Sequence, residues 1–171
     1  MIVLRVLVVT VVITLAVTLQ VALFPYLAYD GVVPNLALLV VVAAALIRGP
    51  EFAAGLGFLA GLAVDLAPPA DQVAGRWALA LVVVGYLAGR VRHDARTSAV
   101  AAIVTVAASS FVGTSIFALS GLLLRDPAVP VAEALSVIPV AVSYDVLLTP
   151  FVLPLMMRLF QRLEPRRQVV Y

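Results

Sequence analysis

The sequence contains no cysteine and no lysine, and His93 is its single histidine. Without cysteine there are no disulfides and no thiolate metal ligands, and one histidine cannot build a histidine metal cluster. Charged residues make up 12% of the 171 residues, where an average soluble domain has about a quarter. The net charge of +2 gives no basic surface for nucleic acid. We therefore expect no metal, no cofactor and no nucleic-acid partner.

Hydrophobic residues are abundant instead, at 64% of the chain, with a mean hydropathy of +1.18. A chain of this size cannot bury so much apolar surface against itself in water. The composition predicts a single-domain, all-α integral membrane protein. The N-terminus leads into an apolar run without a cleavage site, so we expect a retained first span.

Six apolar runs are predicted to cross the membrane as helices: residues 6–24, 32–48, 51–67, 73–89, 98–124 and 137–160. A crossing helix needs about 20 residues, so runs two to four are short. Four crossings, with two of these runs merged into a re-entrant hairpin, is the alternative.

The arginines favour six crossings. With six spans, nine of the eleven arginines fall on one side of the membrane, and Arg76 and Arg125 fall on the other. Such asymmetry marks the cytoplasmic side. It predicts a multi-pass protein with both termini in the cytoplasm.

Small residues recur at intervals of four along three of the runs. The positions are Ala53, Gly57, Gly61, Gly85, Gly89, Ser109 and Gly113. Small side chains let helix backbones approach closely, most often to pack the bundle itself. The functional interpretation is a groove that accepts a single transmembrane helix of a partner protein.

Asp65 and Asp145 lie within apolar sequence, where an ionisable group costs about 2.5–3.5 kcal/mol. Asp145 either belongs to a polar pocket or, if protonated, donates to the Val146 carbonyl that Pro150 leaves free. An ion or proton carrier that uses Asp145 is a third interpretation. The candidates for an outward-facing polar pocket are Asn35, Asp65, Trp77, Tyr144 and Asp145. Helix kinks are predicted at Pro139, Pro150 and Pro154.

Motifs of catalytic chemistry are absent from the sequence. It has no glycine-rich phosphate loop, no G-x-S-x-G and no H-E-x-x-H. We predict no catalytic residues and a protein that is not an enzyme.

The order of several short segments carries a family resemblance. They are PNLALL at 34–39, RGP at 48–50, GFLAGLAVDL at 57–66, GYLAG at 85–89 and YDVLLTP at 144–150, followed by Pro154-Leu155 and Arg158-Leu159. From about Pro34 to Leu163 the chain resembles the bacterial rod shape-determining protein MreD family. That family commonly has Asp at the position of Asn35 and often Asn at the position of Asp145.

The resemblance implies a six-helix bundle similar to the substrate-binding (S) subunits of energy-coupling-factor transporters. It implies a non-catalytic component of the cell-elongation (rod) complex, or elongasome, in the bacterial cytoplasmic membrane. MreC is the implied partner, and through it the class B penicillin-binding protein and RodA, which make peptidoglycan, and the MreB filaments. Membrane lipid is a further partner, and a homodimer is left open. The alternative is a substrate-binding membrane subunit of a vitamin or small-molecule importer.

Overall fold

The computed structural model describes residues 2–29, 31–68, 73–96, 98–124 and 131–163, with the side chains of 131–135 excepted. These residues form seven α-helices and no β-strand; a 3-10 turn (Phe24–Leu27) follows the first helix. The helices are α1 (Ile2–Ala22), α2 (Leu36–Arg48), α3 (Pro50–Asp65), α4 (Arg76–Arg90), α5 (Arg92–Ala95), α6 (Ala99–Leu123) and α7 (Val131–Arg162). The predicted all-α class is confirmed over this part of the chain.

Each predicted apolar run coincides with one long helix, and α5 is a single turn between the fourth and fifth runs. The largest differences are at helix starts: α1 begins at Ile2 rather than at residue 6, α2 at Leu36 rather than at residue 32, and α7 at Val131 rather than at residue 137. Helix α7 continues through Pro139, Pro150 and Pro154 without interruption.

Two hydroxyl groups bond to backbone carbonyls near the prolines of α7. Ser143 donates to the Pro139 carbonyl at 2.7 Å and Thr149 to the Asp145 carbonyl at 2.7 Å. These are bonds to the carbonyl four residues earlier, by which Ser and Thr side chains commonly satisfy their hydroxyl groups within a helix.

Three helical segments are long and apolar enough to cross a membrane: Val3–Ala22, Ala99–Leu123 and Ser136–Arg162. Helix α2 is apolar but has 13 residues, a length of about 20 Å against about 30 Å of hydrocarbon. Full crossing by α2, α3 and α4 stays a prediction.

Helix α2 forms the centre of the bundle. Its residues from Leu36 to Ile47 are all buried, and it contacts α1, α3, α4, α6 and α7. A helix that is apolar on every side lies either in a protein core or in lipid, and the burial of α2 shows that it lies in the core. The remaining helices are therefore wrapped around α2.

Helices α3 and α4 pack antiparallel at very short range. An added Cβ at Gly57 would collide with the backbone of Leu81, and one at Gly61 with the backbone of Ala78. The same holds from the other side for Gly85 against Ala53 and Gly89 against Pro50. Since these four contacts extend over both helices, their glycines fix the spacing of the pair.

Aromatic contacts mark the two ends of the bundle. At one end Phe52 of α3 meets Phe160 of α7, with ring centroids 6.4 Å apart, and the Arg48 guanidinium lies 4.5 Å from the Phe52 ring centroid. At the other end Trp77 of α4 stacks on Phe117 of α6, with centroids 4.4 Å apart.

Candidate functional site

The N-terminus of α2 lies inside the bundle, where its backbone N–H groups need partners. Asn35 caps its own helix, because its Oδ1 accepts from the Leu38 N–H at 2.9 Å. Gln20 of α1 accepts from the Ala37 N–H at 3.2 Å, and Asp145 of α7 accepts from the Asn35 N–H at 2.8 Å. We call Gln20, Asn35, Ser110 and Asp145 the α2 cluster.

Asp145 joins three helices through this cluster. Besides the bond to Asn35, its carboxylate accepts from the Ser110 hydroxyl of α6 at 2.6 Å, and the residue is 1% exposed. The predicted donation to the Val146 carbonyl is corrected, because the carboxylate acts as an acceptor of N–H and O–H groups from other helices. The Nδ2 atom of Asn35 is buried without a hydrogen-bond partner among the described residues.

Asp65 performs a similar task for α4. Its carboxylate accepts from the backbone N–H groups of Gly75 at 2.8 Å, Trp77 at 3.1 Å and Ala78 at 3.1 Å. Gly75 has a φ of 99°, which favours glycine, and this turn aims the N–H groups at the carboxylate. A carboxylate at a helix N-terminus satisfies free donors and the positive end of the dipole.

Arg76 is a residue that sequence reasoning placed on the outer surface and that the structure buries at 2% exposure. Its Nη2 donates to the Phe117 carbonyl at 2.9 Å, and its guanidinium carbon lies 3.9 Å from the Phe117 ring centroid. An added Cβ at Gly121 would collide with the guanidinium. Phe117 and Gly121 are one helical turn apart and therefore lie on the same face of α6. This spacing was the one feature of the sequence that could have indicated a place for the Arg76 side chain.

The five residues predicted to form one polar pocket do not do so. Asn35 and Asp145 belong to the α2 cluster, whereas Asp65 and Trp77 meet at the start of α4. Helix α6 contacts both groups: Ser110 bonds to Asp145, and Phe117 stacks on Trp77. These two positions are about 10 Å apart along the helix. Tyr144 is bonded elsewhere: its hydroxyl donates to the Leu27 carbonyl at 2.8 Å. Both carboxylates are enclosed and bonded within the chain.

The small residues predicted as a groove for a partner helix are mostly used inside the chain, which corrects that prediction. Ala53, Gly57, Gly61, Gly85 and Gly89 form the contact between α3 and α4.

The other two small residues lie on α6. A Cβ at Gly113 would stand 3.2 Å from the side chains of Leu38 and Val84, so Gly113 faces α2 and α4. Ser109 is 7% exposed and lines a groove of about 430 Å³ between α4, α5 and α6. We call this cavity the α4–α6 groove.

No group of three or more metal-ligating residues occurs among the described residues. Gln20, Asn35, Ser110 and Asp145, like Asp65, bond to backbone groups or to each other inside the bundle. This arrangement is suited to hold helices together rather than to bind a substrate.

Comparison with known proteins then identifies the family. Residues 1–163 match the family described as rod shape-determining protein MreD. The chain belongs to the MreD family. It is therefore a rod shape-determining membrane protein, of a family whose members are structural components rather than enzymes.

No curated protein and no solved structure matches the chain. The expected similarity to transporter S subunits is thus without support from a known fold. The segments with the MreD resemblance contain the residues that start α2, pack α3 on α4 and supply Asp145.

Proposed function

We propose that this MreD-family protein is a non-catalytic membrane component of the bacterial cell-elongation complex. It binds MreC by helix packing and thereby modulates peptidoglycan synthesis by the class B penicillin-binding protein and RodA, with MreB on the cytoplasmic side. The family match over residues 1–163 is the observation that carries the proposal. The enclosed polar clusters support it, because they leave the described helices with apolar surfaces and bonded polar groups.

A partner helix then has to dock on a face other than the small residues of α3 and α4. Helices α1, α6 and α7 carry large exposed apolar side chains, among them Leu15, Phe111 and Phe151. A partner that packs on one of these helices replaces lipid and leaves the inner contacts of the bundle unchanged.

The proposed placement is multi-pass in the cytoplasmic membrane, with both termini in the cytoplasm. The contacts support it, since Arg48 and Arg92 lie at the same end of the bundle: the Arg92 guanidinium lies over Gly49, and the Arg48 guanidinium lies over Phe52. Arg158 and Arg162 lie on the turns of α7 around Phe160, which packs at the same end.

Co-purification with MreC tests the proposal. The full chain, tagged and co-expressed with MreC, is expected to retain it through detergent extraction, and cells depleted of the chain are expected to become round. Three variants test one helix each: Leu15→Ala on α1, Phe111→Ala on α6 and Phe151→Ala on α7. The helix that binds MreC is the one whose variant stays folded but no longer retains MreC. Normal rods after depletion, together with no recovery of MreC, would refute the proposal.

The importer alternative depended on one shared polar pocket, which the described residues do not form. It stays a prediction, and a small molecule that co-purifies in a one-to-one ratio, detected by mass spectrometry, would support it.

A further inference from the structure

The α4–α6 groove is an apolar channel on the side of the bundle. Leu87 of α4 and Val91, which follows this helix, line one wall, and Val104, Ala108 and Val112 of α6 line the other. The Thr105 hydroxyl in its wall already donates to the Ala101 carbonyl at 2.8 Å. The walls therefore favour a hydrocarbon occupant over a polar one.

The length of the groove corresponds to one leaflet of a bilayer. Its lining on α6 extends from Ala101 to Val112, about 16 Å of helix, and half of the hydrocarbon core is about 15 Å. The groove has a volume of about 430 Å³ and is open to the outside of the bundle. A single acyl chain is narrow enough to fit.

Basic residues neighbour one end of the groove: they stand beside the lining residues Val91, Asp94 and Ala95 in the chain but do not line the groove themselves. The connection from α4 to α6 carries Arg90, Arg92 and Arg96 against Asp94, which lines the groove itself. Three positive charges against one negative leave a net charge of +2 with His93 neutral. Arg90 and Arg96 are exposed. Basic pockets between transmembrane helices at the cytoplasmic surface are suited to anionic lipid headgroups.

We propose that the α4–α6 groove binds one anionic phospholipid. An acyl chain occupies the apolar channel, and Arg90 and Arg96 hold the phosphate-bearing headgroup at its basic end. The proposal requires the groove to lie in a bilayer and is independent of which protein partner the chain has.

Native mass spectrometry of the full chain, delipidated in detergent, measures the binding of added lipid. The probes are dioleoyl-phosphatidylglycerol, which is anionic, and dioleoyl-phosphatidylcholine, which has the same acyl chains and no net charge. One phosphatidylglycerol per chain is expected to bind about tenfold or more tightly than phosphatidylcholine, since each basic residue near the surface contributes about 1 kcal/mol.

Two pairs of variants locate the site. Ala108→Trp fills the channel and is expected to abolish the bound lipid, whereas Leu119→Trp, on the exposed surface of the same helix outside the groove, keeps it. Arg90→Gln with Arg96→Gln is expected to bring the two lipids to similar affinity. Arg158→Gln with Arg162→Gln, which removes two exposed arginines from α7, keeps the preference.

The proposal is overturned if the wild-type chain binds both lipids equally, or if the filled groove retains phosphatidylglycerol. Should Ala108→Trp fail to fold, the arginine variants decide the headgroup site. A photo-crosslinker at Val104 in cell membranes is expected to add the mass of a phospholipid. A crosslinked protein at that position would assign the groove to a partner helix and refute the lipid site.

Discussion

Asp65 and Asp145 are each 1% exposed, and each accepts backbone N–H groups at the start of a helix to which it does not belong. A carboxylate in hydrocarbon is costly, but an uncapped helix N-terminus is costly there as well. When a buried carboxylate caps a helix, the free-energy cost of the charge and that of the uncapped N-terminus both fall. The carboxylate accepts from free N–H donors and lies at the positive end of the helix dipole. The two residues are thus explained by helix capping without a transport step.

Substitution of Asp145 distinguishes a role in capping α2 from a role in proton transport. Asp145→Asn keeps an acceptor for the Asn35 N–H and a polar group for Ser110, so we expect near wild-type stability. Asp145→Leu leaves both donors unpaired, and we expect a loss of about 1–3 kcal/mol in the free energy of unfolding. Unfolding of the detergent-solubilised protein by SDS, followed by circular dichroism, measures it. Phe151→Leu, at an exposed position on the same helix, is the control. Equal stability of Asp145→Leu and wild type would contradict the capping account.

The contact between Asn35 and Asp145 gives a physical basis for the resemblance, in which Asp and Asn exchange places at these two positions. Asn35→Asp alone puts a second carboxylate into the α2 cluster, and like charges at one buried site repel. We expect it to destabilise the fold and Asp145→Asn in the same chain to restore stability, with a coupling of about 1 kcal/mol or more. The same SDS unfolding assay, run on both single variants and the double variant, measures the coupling. Additive effects of the two substitutions would show that the positions are independent.

The partners of these residues could not be predicted from the sequence. The depth of Asp145 follows from its place in an apolar run. Its hydrogen bonds, however, reach Asn35 and Ser110, which are 110 and 35 residues away along the chain. Periodicity within one helix contains no information about which helix it meets, and the shared pocket was predicted wrongly for this reason.

At the scale of elements, the spacing of small residues did predict close helix approach. It could not say whether the second backbone comes from this chain or another. The backbone contacts of Gly57 with Leu81 and Gly85 with Ala53 answer that question in favour of α3 and α4. The start of α2 at Leu36 did have a signal in the sequence, because a residue before proline, here Val33, disfavours helix and Asn35 is a favoured N-cap.

Helix α3 contains a matched pair of glycines for testing this packing. Gly57 touches the Leu81 backbone, whereas nothing lies within 4 Å of a Cβ at Gly55. Gly57→Leu is expected to cost about 3 kcal/mol or more, since neither backbone can yield. Gly55→Leu is expected to be neutral or to stabilise by up to about 1 kcal/mol through helix propensity. The measurement is the midpoint of thermal unfolding in detergent. A similar loss in both variants would mean that α3 and α4 are not packed as described.

At the scale of the whole molecule, charge and length act together. Arginines gather at one end of the bundle, where Gly49 joins α2 to α3 and where α7 ends. Near the opposite end, Arg76 is buried against Phe117. Arg76 therefore contributes little exposed charge on that side, which strengthens the asymmetry counted from the sequence.

Reporter fusions test the orientation that this asymmetry predicts. Green fluorescent protein fused after Tyr171 is expected to fluoresce, and alkaline phosphatase at the same position is expected to be inactive, because the arginine asymmetry predicts a cytoplasmic C-terminus. Phosphatase inserted between residues 69 and 72 is expected to be active. The reverse activity pattern would contradict the orientation, and termini on opposite sides would contradict six crossings.

The short central helix has a consequence for how the protein is made. Its first N–H groups depend on Gln20 near the start of the chain and on Asp145 near its end. A nascent chain that has not yet delivered α7 to the membrane therefore holds α2 with an exposed polar backbone terminus. We therefore expect synthesis of the last helix to complete the packing of the second, and a prematurely terminated chain to be degraded faster than the full chain.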